Sequence, residues 1–326
     1  MTVDIHGHVT SPELFKRFPM PPSLADIDGM IEAKAALGIT MTVVGSPVGA
    51  GTMVPVPGLD NYQQPADALE AFHEWLAETV RAHPRHLRAY AYVNPYGGDD
   101  QLDQAAKRLS QAEFTGLIVN SSVKGSFLGE PRADSFFAMA AEHDVPVLLH
   151  PPAEPAGSRA LANLGLIEHV ARPCDVALGV AAIIFGGWLE KYPSLRLVAA
   201  TGGGALPLLA EKLDLAAARP PGGRPGGPPG PPGGPPAVTL TSKPSELLRR
   251  IYVDTATPSR AALAAAIGTF GAGQVLFGTD SPPLAAPLEA ALDSVAALPD
   301  SVASAADKAA ILGQNANKLF RLEEQG

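Results

Sequence analysis

The sequence predicts a single (β/α)8 barrel carrying one inserted loop. Three observations predict it. Eight short β-branched or aliphatic runs alternate with Ala/Leu/Glu-rich stretches of helical pattern, the mark of βαβ units and a parallel sheet. The runs are apolar throughout, as strands buried on both faces must be. The length, 326 residues, suits one barrel of roughly 250 residues with additions. A doubly wound open sheet is the rival arrangement.

The expected strands, in order, are Val3–Ile5, Thr40–Val44, Arg88–Val93, Gly116–Val119, Pro146–Leu149, Arg196–Ala200, Ile251–Asp254 and Val275–Gly278. Helical patterns between them cover Ala66–Ala82, Asp103–Gln111, Ser135–His143, Val176–Lys191 and Ser259–Phe270. A last helical stretch, Ala305–Leu322, is expected to pack on the outside of the barrel. The segment 219–237 is nearly all Pro and Gly. Its glycines keep no three-residue period, so it reads as a mobile surface insertion after the sixth strand and its helix, not as a collagen-like repeat.

Composition narrows the function. Hydrophobic residues make up 46% and charged residues 17%, which is globular. A core of this size needs no metal staple, so a metal here would serve chemistry before folding. The net charge is -9 and no basic run occurs, which argues against a nucleic-acid groove. The single cysteine, Cys174, forbids an internal disulfide and fits a reducing compartment. No stretch reads as a signal peptide or a membrane span, so a soluble cytoplasmic protein is expected.

Chemistry-bearing residues stand at the ends of three predicted strands. Asp4-Ile5-His6-Gly7-His8 places two imidazoles two residues apart, hence on one face of a strand. Val145–Leu149 ends on His150, and prolines follow to stop further pairing. Val275–Thr279 leads to Asp280. In a barrel these three strand ends open on one cavity. Three neutral imidazoles and one carboxylate would leave a divalent cation near +1, with one or two positions open for water or substrate. Neutral imidazole suits zinc, while manganese and iron stay open. Thr201, Asn120 and Asn94 end other strands and are candidate substrate contacts, with Ser46, Pro47 and Ser121 as further walls. Lys124 or Arg17 could pair with a substrate carboxylate. The remaining histidines, His73, His83, His86, His143 and His169, fall in or beside helical stretches and are expected at surfaces or helix ends. Gly202–Gly204 follows a strand and could cradle an anion. Yet it lacks the phosphate-loop pattern, and close backbone approach explains it better.

The ordered set resembles the metal-dependent amidohydrolase superfamily, in the branch of aminocarboxymuconate semialdehyde decarboxylase and related aromatic-acid decarboxylases. The matching pieces are Asp4–His8, Gly116–Asn120, Val145–Pro151, Gly186–Pro207, Arg250–Thr255, Gly278–Pro282 and Ile311–Ala316. The resemblance implies that His6, His8, His150 and Asp280 hold the metal, usually zinc, and that a homodimer forms. It also exposes a departure. The branch carries a histidine before the Gly-Gly-Gly run, acting as a base on water, where this chain has Thr201. A hydroxyl cannot accept a proton near neutral pH as imidazole can.

The expected activity is therefore metal-dependent decarboxylation of a small cyclic or aromatic carboxylic acid, with Asp280 as proton carrier. Hydrolysis of a lactone, amide or ester by the same centre is the alternative. So is a divergent barrel whose activity is altered or lost with the histidine at 201.

Overall fold

The structure, a computed structural model, describes residues 1–54, 56–218, 238–257, 259–284 and 287–322. The Pro/Gly-rich segment 219–237 and its expected mobility lie outside the described residues. Among the described residues ten strands occur: β1 (Thr2–His8), β2 (Ile39–Gly45), β3 (Leu87–Tyr92), β4 (Phe114–Asn120), β5 (Ser122–Val123), β6 (Ser126–Phe127), β7 (Pro146–His150), β8 (Arg196–Ala199), β9 (Tyr252–Asp254) and β10 (Val275–Leu276). Eight form one sheet in the order β1-β2-β3-β4-β7-β8-β9-β10, all parallel. The order never reverses, which excludes a doubly wound sheet. The first and last strands meet where Ile5 N donates to the Phe277 carbonyl at 2.9 Å. β5 and β6 form a separate small antiparallel ladder. Among the described residues no helix is long and apolar enough to cross a membrane.

The strands are apolar and closed off from water: Val3, Ile5, Val43, Leu117, Leu148 and Val198 are each fully buried. Helices shield the outside by the usual stripe. The helix Ala66–Ala82 buries Leu69, Phe72, His73, Leu76, Ala77 and Val80, positions spaced three and four apart. The expected helix Val176–Lys191 is in fact two, Arg172–Phe185 and Trp188–Lys191, because Gly187 takes a left-handed conformation between them.

Two expectations are corrected. The C-terminal segment does not lie along the outer ring. Thr115 Oγ1 donates to the Phe320 carbonyl at 2.7 Å, and Asn315 Nδ2 to the Val275 carbonyl at 2.9 Å. It therefore closes the end of the barrel where the strands begin. His73 is not a surface residue. It is buried, and its Nε2 accepts from Tyr92 N at 3.0 Å. Burial and the nearby Arg108 guanidinium push its pKa down from 6.5 to about 3. The folded state thus keeps His73 neutral where the unfolded chain takes up a proton. Its contribution is present above pH 6.5 and is lost as pH falls toward 3. The unfolding free energy of the wild type should fall more steeply than that of His73→Gln between pH 6 and pH 4. The difference should be about 1.4 kcal/mol per pH unit, read from urea titrations; parallel pH profiles would refute it.

Candidate metal centre

Alternation along β1 turns His6 and His8 to the same side. β7 ends on His150, and Asp280 follows β10 in a left-handed conformation with φ 54°. Gly278 makes the approach of that last strand feasible. A Cβ there would stand 2.9 Å from the Asp254 Cβ and 3.0 Å from the His6 Cβ.

These four residues meet, all buried, with one ligand atom from each within 4.8 Å of the others. The imidazole centroids are 4.9, 5.2 and 4.8 Å apart, and the rings are nearly perpendicular. Asp280 Oδ1 lies 3.0 Å from His8 Nε2 and 3.4 Å from His6 Nε2. Each Nδ1 faces an oxygen acceptor: Asp254 Oδ2 at 2.6 Å for His6, the Gly45 carbonyl at 3.2 Å for His8, and the Pro151 carbonyl at 2.8 Å for His150. Those bonds put the proton of each neutral ring on Nδ1 and free Nε2 as a ligand.

Two Nε2 atoms then face each other at 3.2 Å between His6 and His8, which is repulsive unless a proton or a metal cation lies between them. The electrostatics agree. Burial works against a charged His6, yet Asp280, Asp254 and Asp4 overcome it and raise its pKa to about 9. Burial opposes a charged Asp280 as well, but the surrounding imidazoles hold its pKa well below the usual carboxylate range. Burial and the charges of His8, His6 and, more weakly, Arg172 push His150 well down. Asp280, Asp254 and Asp4 thus draw positive charge to one point beside His6. Three nitrogen donors and one carboxylate fit a divalent transition cation.

Several supporting residues escaped the sequence reading. Asp4 Oδ1 accepts from His6 N at 3.0 Å and Thr279 N at 3.1 Å. Its Oδ2 accepts from Thr279 Oγ1 at 2.6 Å and from the buried Lys34 at 2.8 Å. Helix Ile27–Ala36, capped by Asp26, delivers that lysine. One carboxylate thus fixes both β1 and the backbone just before Asp280. Asp254 does the same on the other side. Besides His6 it holds Gly202 N at 2.9 Å and Ala256 N at 3.1 Å through Oδ1. Its signal was present in the sequence, since the predicted strand Ile251–Asp254 also ends on a lone polar residue.

Asp254→Asn should weaken metal binding by about 10–100-fold, measured by chelator competition. An amide donor facing Nδ1 favours the tautomer with its proton on Nε2, where the lone pair is needed. An unchanged Kd would show that the Asp254 bond does not orient His6.

The other expected contacts divide. Thr201, also left-handed with φ 53°, lines a cavity of about 220 Å3 together with His8, His150, Asp280, Ser46 and Pro47. Its Oγ1 is buried without a partner. Asn120 and Asn94 are not among the described residues lining this cavity. Asn120 Nδ2 donates to the Pro47 carbonyl at 3.0 Å and so supports the loop after β2. Asn94 Nδ2 donates to the Tyr62 carbonyl at 3.1 Å, beside a different cleft. Ser121 donates to Asp175 at 2.5 Å. Lys124 is paired with Asp60 at 2.6 Å on an outer cleft, and Arg17 stacks over Phe18 on the surface. Among the described residues, the permanent cation lining the cavity is instead Arg172. Gly202–Gly204 is no anion cradle. Its amides bond to Asp254, the Ala200 carbonyl and the Thr201 carbonyl. All three glycines have positive φ, and a Cβ on Gly204 would fall 2.0 Å from the Pro173 carbonyl.

The curated 2-amino-3-carboxymuconate-6-semialdehyde decarboxylase of Dictyostelium discoideum is 23% identical over 231 residues, 70% of this chain and 61% of that relative's length. Among solved structures, 2,6-dihydroxybenzoate decarboxylase from Rhizobium superposes with a TM-score of 0.78 at 20% identity, covering 99% of each chain. The 5-carboxyvanillate decarboxylase from Sphingomonas paucimobilis gives 0.77 at 20% identity, covering 98% of each. These structural likenesses establish the shared barrel. The family model described as Amidohydrolase matches residues 3–322, and the chain belongs to that family.

Proposed function

We propose that this chain is a metal-dependent decarboxylase acting on a small aromatic carboxylic acid. The observation that carries this reading is the cavity of about 220 Å3, apolar over most of its wall, with His8, His150 and Asp280 facing into it. Val9, Met20, Leu24, Met53, Val54 and Leu284 offer flat hydrophobic contact to a single ring. The relatives lend support, since both solved structures compared above are aromatic-acid decarboxylases by name. A dihydroxybenzoic acid decarboxylase from Polaromonas was solved with bound manganese.

His6, His8, His150 and Asp280 would hold the cation. When bound, it supplies positive charge that orients an anionic substrate and offsets electron density as the carbon–carbon bond breaks. Zinc and manganese are both compatible with this donor set. Asp280 does the proton work. The surrounding positive charge keeps it ionised at rest, so it enters as a base. It takes a proton from an acidic group of the substrate, such as a ring hydroxyl, and delivers it to the carbon that loses carbon dioxide. Oδ1 faces the imidazoles, which leaves Oδ2 to carry that proton. The apolar walls exclude water from the reacting carbon. Thr201 supplies no second base, so the proton work falls to Asp280 alone. A cytoplasmic setting belongs to the same proposal and rests on the lone Cys174.

The test is product analysis. Metal-loaded protein incubated with carboxyl-labelled 2,6-dihydroxybenzoate and 5-carboxyvanillate should release labelled carbon dioxide. Opening of a lactone or ester panel without carbon loss would assign hydrolysis instead.

A further inference from the structure

Arg172 and Glu168 line the same cavity as the candidate ligands, yet neither the metal centre nor the proton path uses them. They stand four residues apart. Glu168 lies in an over-wide helical turn, Ile167–Ala171, and Arg172 opens the helix Arg172–Phe185. Such wide turns recur at functional sites. Glu168 Oε2 accepts from Arg172 Nη1. The carboxylate is the outer member of the pair, with 36% of its side chain exposed against 16% for the guanidinium.

The guanidinium is held but not saturated. Its Nε is buried with no hydrogen-bond partner, so the side edge of the fork is idle while the end is engaged. That edge matches a planar oxyanion bidentately. The backbone beneath it is anchored, because the Pro173 carbonyl packs directly on Gly204 in the turn that carries Thr201. No other lysine or arginine is among the described residues lining the cavity.

We infer that Arg172 binds an oxyanionic substituent of the substrate, separate from the group directed at the metal centre, and that Glu168 orients the guanidinium for it. This rests on the decarboxylase reading and narrows its substrate class to aromatic acids with a second acidic group on the ring. Arg172 is then a specificity-determining contact.

The experiment compares benzoate with isophthalate and terephthalate as probes, by calorimetric titration of the metal-loaded chain. The wild type should prefer one diacid over benzoate by about tenfold or more, equivalent to about 1.4 kcal/mol. Arg172→Met should erase the preference while metal content, measured by elemental analysis, stays at the wild-type level. Arg172→Lys, which keeps the charge but loses the fork, should fall between and guards against misfolding of the first variant. Equal binding of all three probes by the wild type, or a preference that survives in Arg172→Met, overturns the inference and leaves the decarboxylase reading standing. A metal-loaded wild type that binds none of the three acids removes that reading, and the inference falls with it.

Discussion

Asp280→Asn is expected to lower turnover by about 10²–10⁴-fold, the usual worth of a positioned proton carrier. The amide keeps the shape and one oxygen donor near His8, so the variant should still take up metal at saturating concentration. It cannot shuttle a proton. The backbone there is already constrained, with φ 54° at Asp280 and Asp4 holding Thr279 on both its amide and hydroxyl, so the side chain should stay in place. The check is a paired measurement of metal content and of the rate of labelled carbon dioxide release. Loss of both together would make Asp280 a ligand first. Retention of both would remove it from the proton path.

His150→Ala should have the larger effect on metal affinity. Deleting an outer hydrogen bond to a ligand costs about 10–100-fold, and deleting the ligand itself should exceed that. Thermal unfolding gives an independent readout. A ligand at 100 times its Kd stabilises the fold by about 2.7 kcal/mol, so added metal should raise the wild-type Tm and leave that of His150→Ala nearly unmoved. Circular dichroism should show the variant folded, because Pro146–Leu149 remain packed in the sheet. An equal Tm rise in both proteins would show that the ion sits elsewhere.

Much of this was legible in the residues because the barrel imposes one rule: what ends a strand faces the mouth. His8 and His150 follow it directly, and Asp280 stands just beyond the last strand. Asn94 and Asn120 obey the rule only in chain position. Their side chains turn back to carbonyls of Tyr62 and Pro47, a choice set by loop backbones that no strand pattern describes. Arg172 escaped for the opposite reason. It sits at the start of a helix, and only the wide turn before it and the packing of Pro173 on Gly204 bring it to the cavity. Lys34 gave no signal in the sequence, because its burial is set by a partner distant in the chain, the Asp4 carboxylate. His73 was likewise hidden, since burial at its helix position depends on the facing strand β3.

Elemental analysis of the purified wild type, after dialysis with zinc or manganese and removal of excess, tests the centre most directly. Convergence of His6, His8, His150 and Asp280 on a single cation predicts about one divalent ion retained per chain. A chain that retains none, and whose melting temperature does not respond to either metal, would contradict it.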